Sequence, residues 1–535
     1  MATAITTSQP PTFWDSVREA LRGSHQDYTT GSIRRAIFLL AIPMVLEMLM
    51  ESLFAIVDVF WVAHLGADAV ATVGLVEALM MLIYAVAMGL GLSATAMVAR
   101  RVGEKDRDGA AIAGVQAIGL GVLAGLLLGV PGYFLAPRLL AAMGSTPEVL
   151  AVGTGYARIA MGGCAVVLLL FLNNAVFRGA GDAAIAMRVL WLSNSINLIL
   201  DPCLIFGWGP FPQLGVTGAA VATLTGRSVG VLYQFYRLSK GGEHIRILAR
   251  HVRLNVDVML RLMRVSLTGI LQFAIPHAAW IGLIRIVSTF GSTALASYTI
   301  SIRVIVFFIL PAWGLSGAAA TLVGQNLGAG HPERAEESVW KTGLYNMLLL
   351  GGIGVVLFVF AAPVIRLFSH DPEIIRLGTS CLRILSLGNV GYAYGMVMLQ
   401  AFNGAGDTTT PTVVNLFGFL LFEVPLAYAM AVTLGLRSDG VSWAILIAEC
   451  VIAKFREFAQ KHIRQVRAQR AGRCVEGQMA TLLPRGQLIP GQPSSCAWAL
   501  CQSKGLGVSS PTMNGCTVTC RCSNRPTSTA SPRRR

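Results

Sequence analysis

Three carboxylates, Glu47, Glu51 and Asp58, stand in a stretch that is otherwise almost wholly apolar. On a helix turning about 100° per residue they fall within about 40° of one another, as one narrow stripe. An ionised side chain at mid-bilayer costs at least about 2.5–3.5 kcal/mol, so it needs a partner, water or a proton. Three on one face repel if all are ionised. At least one is therefore expected to hold a proton near neutral pH and to exchange it for a cation. The competing reading is a structural stripe paired with arginines of other helices, such as Arg285 or Arg303. A second set, Asn194, Asn197 and Asp201, has spacings of three and four and also keeps to one helix face. Asparagine side chains there orient the carboxylate or join it in coordinating Na⁺. Pro202 follows and frees the carbonyl four residues earlier. Asn173, Asn174, Thr217 and Thr223 lie in neighbouring apolar stretches, where helix packing explains each set taken alone. Pro43, upstream of the three acids, permits a bend in the helix that carries them.

These residues need a membrane around them. The chain of 535 residues is 54% hydrophobic and only 13% charged, with a mean hydropathy of +0.63; soluble domains carry about 25% charged residues. Apolar runs recur at about 33–63, 71–97, 112–134, 150–177, 183–207, 214–236, 258–288, 295–323, 338–361, 376–402, 410–432 and 440–453, the last one short. Most have the roughly 20 residues a helix needs to cross a bilayer. Their continuity favours helices over strands. The expected fold is an all-α polytopic membrane protein with twelve spans. Arg34, Arg35, Arg100, Arg101, Lys105, Arg107, the basic run between spans six and seven, Arg334 and Lys341 all fall at one end. By the positive-inside rule that end, with the N-terminus, is expected in the cytoplasm.

The chain also repeats itself. Phe177-Arg178-Gly179-Ala180-Gly181-Asp182 returns as Phe402-Asn403-Gly404-Ala405-Gly406-Asp407, 225 residues on. Pro147 and Pro372, Arg158 and Arg383, Gly89 and Gly314 keep the same offset. Two six-helix lobes, residues 33–236 and 258–453, are therefore expected, with the same orientation and a pseudo-twofold axis along the membrane normal. They are flanked by a segment 1–32, a basic linker 237–257 and a tail 454–535. Within 1–32, Phe13, Trp14, Val17 and Leu21 suit a short interfacial helix. The second lobe has Gln272, Pro276 and Leu283 where the first has Glu47, Glu51 and Asp58, and retains Glu423 on its eleventh span. The ion chemistry is accordingly expected in the first lobe.

From Lys454 onward the apolar text stops, so the twelfth span reads as truncated or altered. The tail carries fourteen Lys/Arg against two Asp/Glu and six of the ten cysteines. It has no counterpart in the first half and reads as the product of a shifted frame, the alternative being a genuine disordered cytoplasmic tail. Cys516, Cys520 and Cys522 lack the second ligand pair of a structural zinc site. No phosphate-binding loop is present and the histidines do not cluster. The sequence thus argues against an ATP motor, a cofactor, a nucleic-acid partner and enzyme activity.

Val57-Asp58-Val59-Phe60, the two Phe-x-Gly-Ala-Gly-Asp turns, Asn197-Leu-Ile-Leu-Asp201-Pro202 and Val323-Gly-Gln-Asn-Leu-Gly328 resemble the multidrug and toxic compound extrusion (MATE) family, over residues 33–453. The resemblance implies a monomeric antiporter in the cell membrane (the inner membrane in a Gram-negative cell), among lipids, that exchanges H⁺ or Na⁺ for amphipathic or cationic compounds by alternating access. It implies that Asp58 takes the coupling cation. Asn174, Asn197 and Asp201 would form its pocket, with Thr217 or Thr223 of the sixth span, Thr217 being taken first. Glu51 would stand beside them and Pro43 where the first span bends. The acidic residues that some branches carry on spans seven and ten are missing here, where Pro276, His277, Asn389 and Tyr392 stand. A flippase for a lipid-linked precursor and a non-transporting scaffold or receptor are the alternatives; the first wants cations in its cavity, and the second has no use for buried acids.

Overall fold

The computed structural model describes residues 13–23, 26–241 and 245–457. The expectations for residues 458–535, including the frame shift and Cys516, Cys520 and Cys522, lie outside the described residues. The helices run α1 Phe13–Arg22, α2 Ile33–Ala63, α3 Ala67–Gly103, α4 Arg107–Ala142, α5 Pro147–Gly162, α6 Cys164–Ala180, α7 Ala183–Phe206, α8 Val216–Lys240, α9 Val256–Ser288, α10 Ser292–Gly328, α11 Pro332–Val359, α12 Ala361–Arg366 and α13 Pro372–Gly404. Then follow α14, Thr409–Thr433, and α15, residues 437–457. Eight helices are long and apolar enough to cross a bilayer, and the pair α5 and α6, bent by 42°, makes a ninth. Among the described residues α8, α13 and α15 complete the twelve spans. These three carry more polar or charged residues, among them Arg227, Asn403 and Arg456, which the bundle buries.

Local signals place the helix starts. Thr146 and Asp371 cap α5 and α13 with side-chain oxygens, and Pro147 and Pro372 follow at first-turn positions where no N–H is needed. Gly181 and Gly406 close the helices before α7 and α14 at φ +92° and +79°, a region that favours glycine. The repeat reaches down to single hydrogen bonds. Thr72 Oγ1 donates to Val149 O at 3.5 Å, and its counterpart Ser297 Oγ donates to Ile374 O at 3.2 Å.

The last span reaches farther than its apolar text. Arg456 is buried on α15, donating from Nη1 to Gly395 O at 3.1 Å and from Nη2 to Asn415 Oδ1 at 2.6 Å. Gly395 is the counterpart of Leu170, whose carbonyl accepts from Gln234 Nε2 at 3.0 Å in the first lobe. Arg456 therefore ties α15 to α13 as Gln234 ties α8 to α6. Hydropathy missed this because a guanidinium inside a bundle is paid for by acceptors, not by apolarity.

The lobes meet through two symmetric crossings, α3 on α9 and α10 on α2. A Cβ built on Gly89 would lie 2.6 Å from Ile270 N, and one on Gly314 would lie 2.9 Å from Val45 N. Ser93 and Ser266 join their hydroxyls across the first crossing at 2.7 Å. At the basic end α3 and α10 cross each other. A Cβ on Gly103 would sit 2.0 Å from Gln325 O, and one on Gly328 would sit 2.1 Å from Arg100 O. Thr321 Oγ1 donates to Arg178 O and Gln325 Nε2 to Gly179 O, both at 3.0 Å. Arg334 of α11 donates to the carbonyls of Tyr28, Thr30 and Gly31, while Tyr28 Oη donates to Gly181 O at 3.4 Å. The basic end is thus sealed between lobes, and the segment ahead of α2 straps across it.

Overpacking a tight contact costs about 1–3 kcal/mol, enough to raise an open minor state about fivefold or more. Ser93, 2% exposed on the interface, reports on that opening. Gly103→Val is expected to speed thiol labelling of a Ser93→Cys reporter by that factor, in a background without other reactive thiols. Equal labelling rates would contradict a sealed crossing.

Candidate functional site

Helix α2 runs unbroken from Ile33 to Ala63 with Pro43 inside and buried. Proline has no N–H to give, so the carbonyl of Leu39 loses its usual helical partner there. The three acids follow on one side, and the structure divides them between separate surroundings.

Glu47, 1% exposed, joins a buried network through Oε1, while its Oε2 has no hydrogen-bond partner. Arg178 Nη1 lies 2.9 Å from Glu47 Oε1, and Asn174 Nδ2 donates to the same oxygen at 3.2 Å. Gln234 Nε2 donates to Asn174 Oδ1 at 2.8 Å, and Asn173 Nδ2 to Gln234 Oε1 at 3.0 Å. Removing one partner of such a buried pair costs about 3–5 kcal/mol, because the other charge is left bare. The arginine partner expected for the stripe is found here, but it is Arg178. Arg285 and Arg303 are exposed. Asn174 is therefore placed with Glu47, not with Asp201 as the family resemblance implied. Its amide spacing suited either acid, and only the packing of α6 on α2 decides.

Glu51 is half-buried and accepts from Asn194 Nδ2 at 3.1 Å. Beyond it lies the pocket proper. Asn197 Nδ2 donates to Asp201 Oδ1 at 3.1 Å and to Thr223 Oγ1 at 3.0 Å. Asp201 has no exposed surface, and Asp58 on α2 is close enough for the two charges to interact. Asp201 Oδ2 and Asn197 Oδ1 are buried with no hydrogen-bond partner. Of the two threonines, Thr223 joins the network. Thr217 sits against Gly155, where an added Cβ would be 2.7 Å from Thr217 Oγ1. Six residues separate the two on α8, and Thr223, not Thr217, lies level with Asn197.

Residues 43–203 and 279–429 match the sequence model of the MatE family. The chain belongs to the MatE family. It is 27% identical over 433 residues to the probable multidrug resistance protein NorM of Thermotoga maritima, covering 78% of this chain and 90% of that protein. An FAD transporter of Shewanella oneidensis is 26% identical over 421 residues, covering 78% and 91%. A crystal structure of MATE in the straight conformation superposes with a TM-score of 0.78 at 27% identity, over 82% of this chain and 98% of that one. An outward-facing multidrug resistance MATE transporter gives 0.77 at 27% identity, over 82% and 98%. This MatE chain is a multi-span membrane transporter of a multidrug-efflux family and not an enzyme.

Sequence reasoning missed part of the MatE pocket. Arg227 on α8 is 7% exposed, donates to Tyr84 Oη at 3.1 Å and lies over the rings of Phe54 and Tyr84 at 5.9 and 5.8 Å. Glu51 and Asp58 are its electrostatic neighbours. Glu77 on α3 is close to both Asp58 and Arg303. The available signal was simple: Arg227 and Glu77 are single charges inside apolar runs, each a functional candidate by position.

A hydrogen bond of this kind contributes about 0.5–1.5 kcal/mol. Thr223→Val is expected to weaken cation-driven export about three- to tenfold, whereas Thr217→Val leaves it within about twofold. Initial export rates against driving-ion concentration distinguish the two; the reverse order would return the pocket to Thr217.

Proposed function

We propose that the chain exports small amphipathic or cationic compounds in exchange for H⁺ or Na⁺ bound at Asp58 and Asp201. One observation carries this reading. Two acceptor oxygens, Asp201 Oδ2 and Asn197 Oδ1, are buried without a donor beside a second carboxylate. Buried acceptors in native proteins are almost always paired. Other buried acceptors lack a partner too, but these two lie side by side next to a second carboxylate, where one cation or proton can serve both.

On this reading the basic end faces the cytoplasm and the lobes open to the other side, since Gly103 and Gly328 close the basic end while Gly89 and Gly314 cross near midspan. In this state an external ion reaches Asp58 and Asp201. Its binding favours release of cargo and return to the inward-open state, and exchange follows only if ion and cargo differ in affinity between the two states. Pro43 supplies the give in α2 for that change. The setting is the cell membrane, with the chain acting as a monomer.

Cargo of opposite charge fits poorly. One relative is named an FAD transporter. Here Glu51, Asp58 and Glu77 make the face around Arg227 net acidic, which disfavours pyrophosphate-bearing cargo and with it a lipid-precursor flippase.

The test is dye uptake into inverted membrane vesicles. Uptake is expected when the lumen is acidified or loaded with Na⁺. Asp58→Asn and Asp201→Asn should each lower the gradient-driven rate at least about tenfold, the loss of about 1.4 kcal/mol or more. Full uptake in both variants would sink the exchange scheme. Which gradient drives the parent identifies the ion.

A further inference from the structure

The short helix ahead of the first span has no part in the exchange scheme. α1 is pinned to the first lobe. Arg35 Nη2 of α2 lies 2.6 Å from Glu19 Oε2, and Arg188 Nη2 of α7 donates to Leu21 O at 2.8 Å. Arg35 stands in the first turn of α2 and Arg188 in the second turn of α7. Two turns of helix rise about 11 Å. α1 is therefore level with the span ends, at the depth of a headgroup layer.

Its two sides differ. Ala20 is 1% exposed, and Val17 and Leu21 are half-buried, so the apolar side faces protein. A free interfacial helix turns that side into the acyl chains; α1 cannot. The outer side carries Trp14, Arg18 and Arg22, spaced by four residues as one stripe and all exposed, Trp14 at 76%. Arg34 and Phe38 of α2 are an exposed pair with the same spacing. Of the two acids on α1, Asp15 and Glu19, the second is taken by Arg35. Arg18, Arg22 and Arg34 have no ion pair among the described residues. The balance of charge at this corner is positive.

We infer that this corner is a docking surface for anionic phospholipid headgroups, held by Arg18, Arg22 and Arg34 and flanked by Trp14 and Phe38. A guanidinium fork matches the oxygens of a phosphate, and indole and phenyl rings settle at headgroup level. With the apolar side of α1 occupied by α2 and α7, charge is what holds the lipid. Binding therefore follows the anionic charge of the headgroup and falls as salt rises. A zwitterionic headgroup brings its own ammonium, which these arginines repel. The surface is also fixed from the other side. Beyond α1, Arg334 of the second lobe holds the carbonyls of Tyr28, Thr30 and Gly31. None of these groups belongs to the pocket of Asp58 and Asp201, so the inference stands or falls apart from the exchange scheme.

The full chain in detergent micelles, titrated with dioctanoyl phosphatidylglycerol and read by native mass spectrometry, tests this. Saturable binding is expected, with dioctanoyl phosphatidylcholine weaker by about tenfold or more. Arg18→Gln combined with Arg22→Gln should weaken phosphatidylglycerol about tenfold or more. Arg261→Gln combined with Arg264→Gln, at two exposed arginines of the second lobe, should leave it within about twofold. Equal affinity for the two lipids overturns the inference. So does an equal effect of the two double variants, which would make the whole basic end the attractant. Displacement of the lipid by inorganic phosphate at matched concentration would overturn it too, in favour of a free anion.

Discussion

An acceptor oxygen shut away from water and from every donor costs about 1–3 kcal/mol, and more when it is charged. Lipid offers it nothing. Asp201 has no exposed surface, yet one of its oxygens has no protein donor, and neither does the amide oxygen of Asn197 beside it. Such a pocket persists because the fold around it is over-determined. The amide of Asn197 is held from two sides by Asp201 and Thr223, and Asn194 braces Glu51 on the opposing helix. The groups are fixed from both helices, and the exchange scheme proposed above assigns the coupling ion to the oxygens they leave unpaired.

Duplication supplied the frame but not the chemistry. Both lobes fasten their second helix to the fourth span through a hydroxyl on a backbone carbonyl, Thr72 to Val149 and Ser297 to Ile374. Both tie the last helix of the lobe to the carbonyl at one equivalent position, yet with different residues: Gln234 does it in the first lobe and Arg456 in the second. A backbone carbonyl is present whatever the sequence, so any donor long enough will serve. Charged side chains have no such freedom. Each needs its own partner, so the acids of one lobe could drift while the scaffold stayed. The first lobe keeps its acids on α2 and α7; the second carries Glu423 and Glu449 on α14 and α15.

The helices, the two lobes and the stripe on α2 were legible because they rest on composition, on period and on an offset of 225 residues between Asp182 and Asp407. The partners were not. Glu47 takes Arg178 and Asn174, while Glu51 takes Asn194, and nothing in the spacing along α2 distinguishes these choices. Thr217 and Thr223 were equally plausible until the rotation of α8 placed one of them against Asn197. Arg227 and Glu449 stood as visible charges in apolar text but lacked a local pattern to announce them. The reading that the second lobe had lost its acids came from comparing equivalent positions. It therefore overlooked Glu449, whose counterpart in the first lobe is Leu224.

The stripe on α2 is also joined to the seal through one side chain. Arg178, which holds Glu47 with its guanidinium, accepts a hydrogen bond from Thr321 of the other lobe through its own carbonyl. One residue thus belongs both to the acid stripe and to the closed basic end. Glycines at 103 and 328 let the backbones meet there with no side chain between them, so the closed state is held by contacts that are lost together once the helices part. Packed crossings of this kind are bistable; they do not slide through intermediate spacings. On the exchange scheme proposed above, a change of charge along α2 would have two outcomes, crossing kept or crossing lost. Contiguity alone does not establish coupling, but Pro43 lies between the seal and the acids on the same helix, where a missing backbone hydrogen bond lowers the cost of moving one relative to the other.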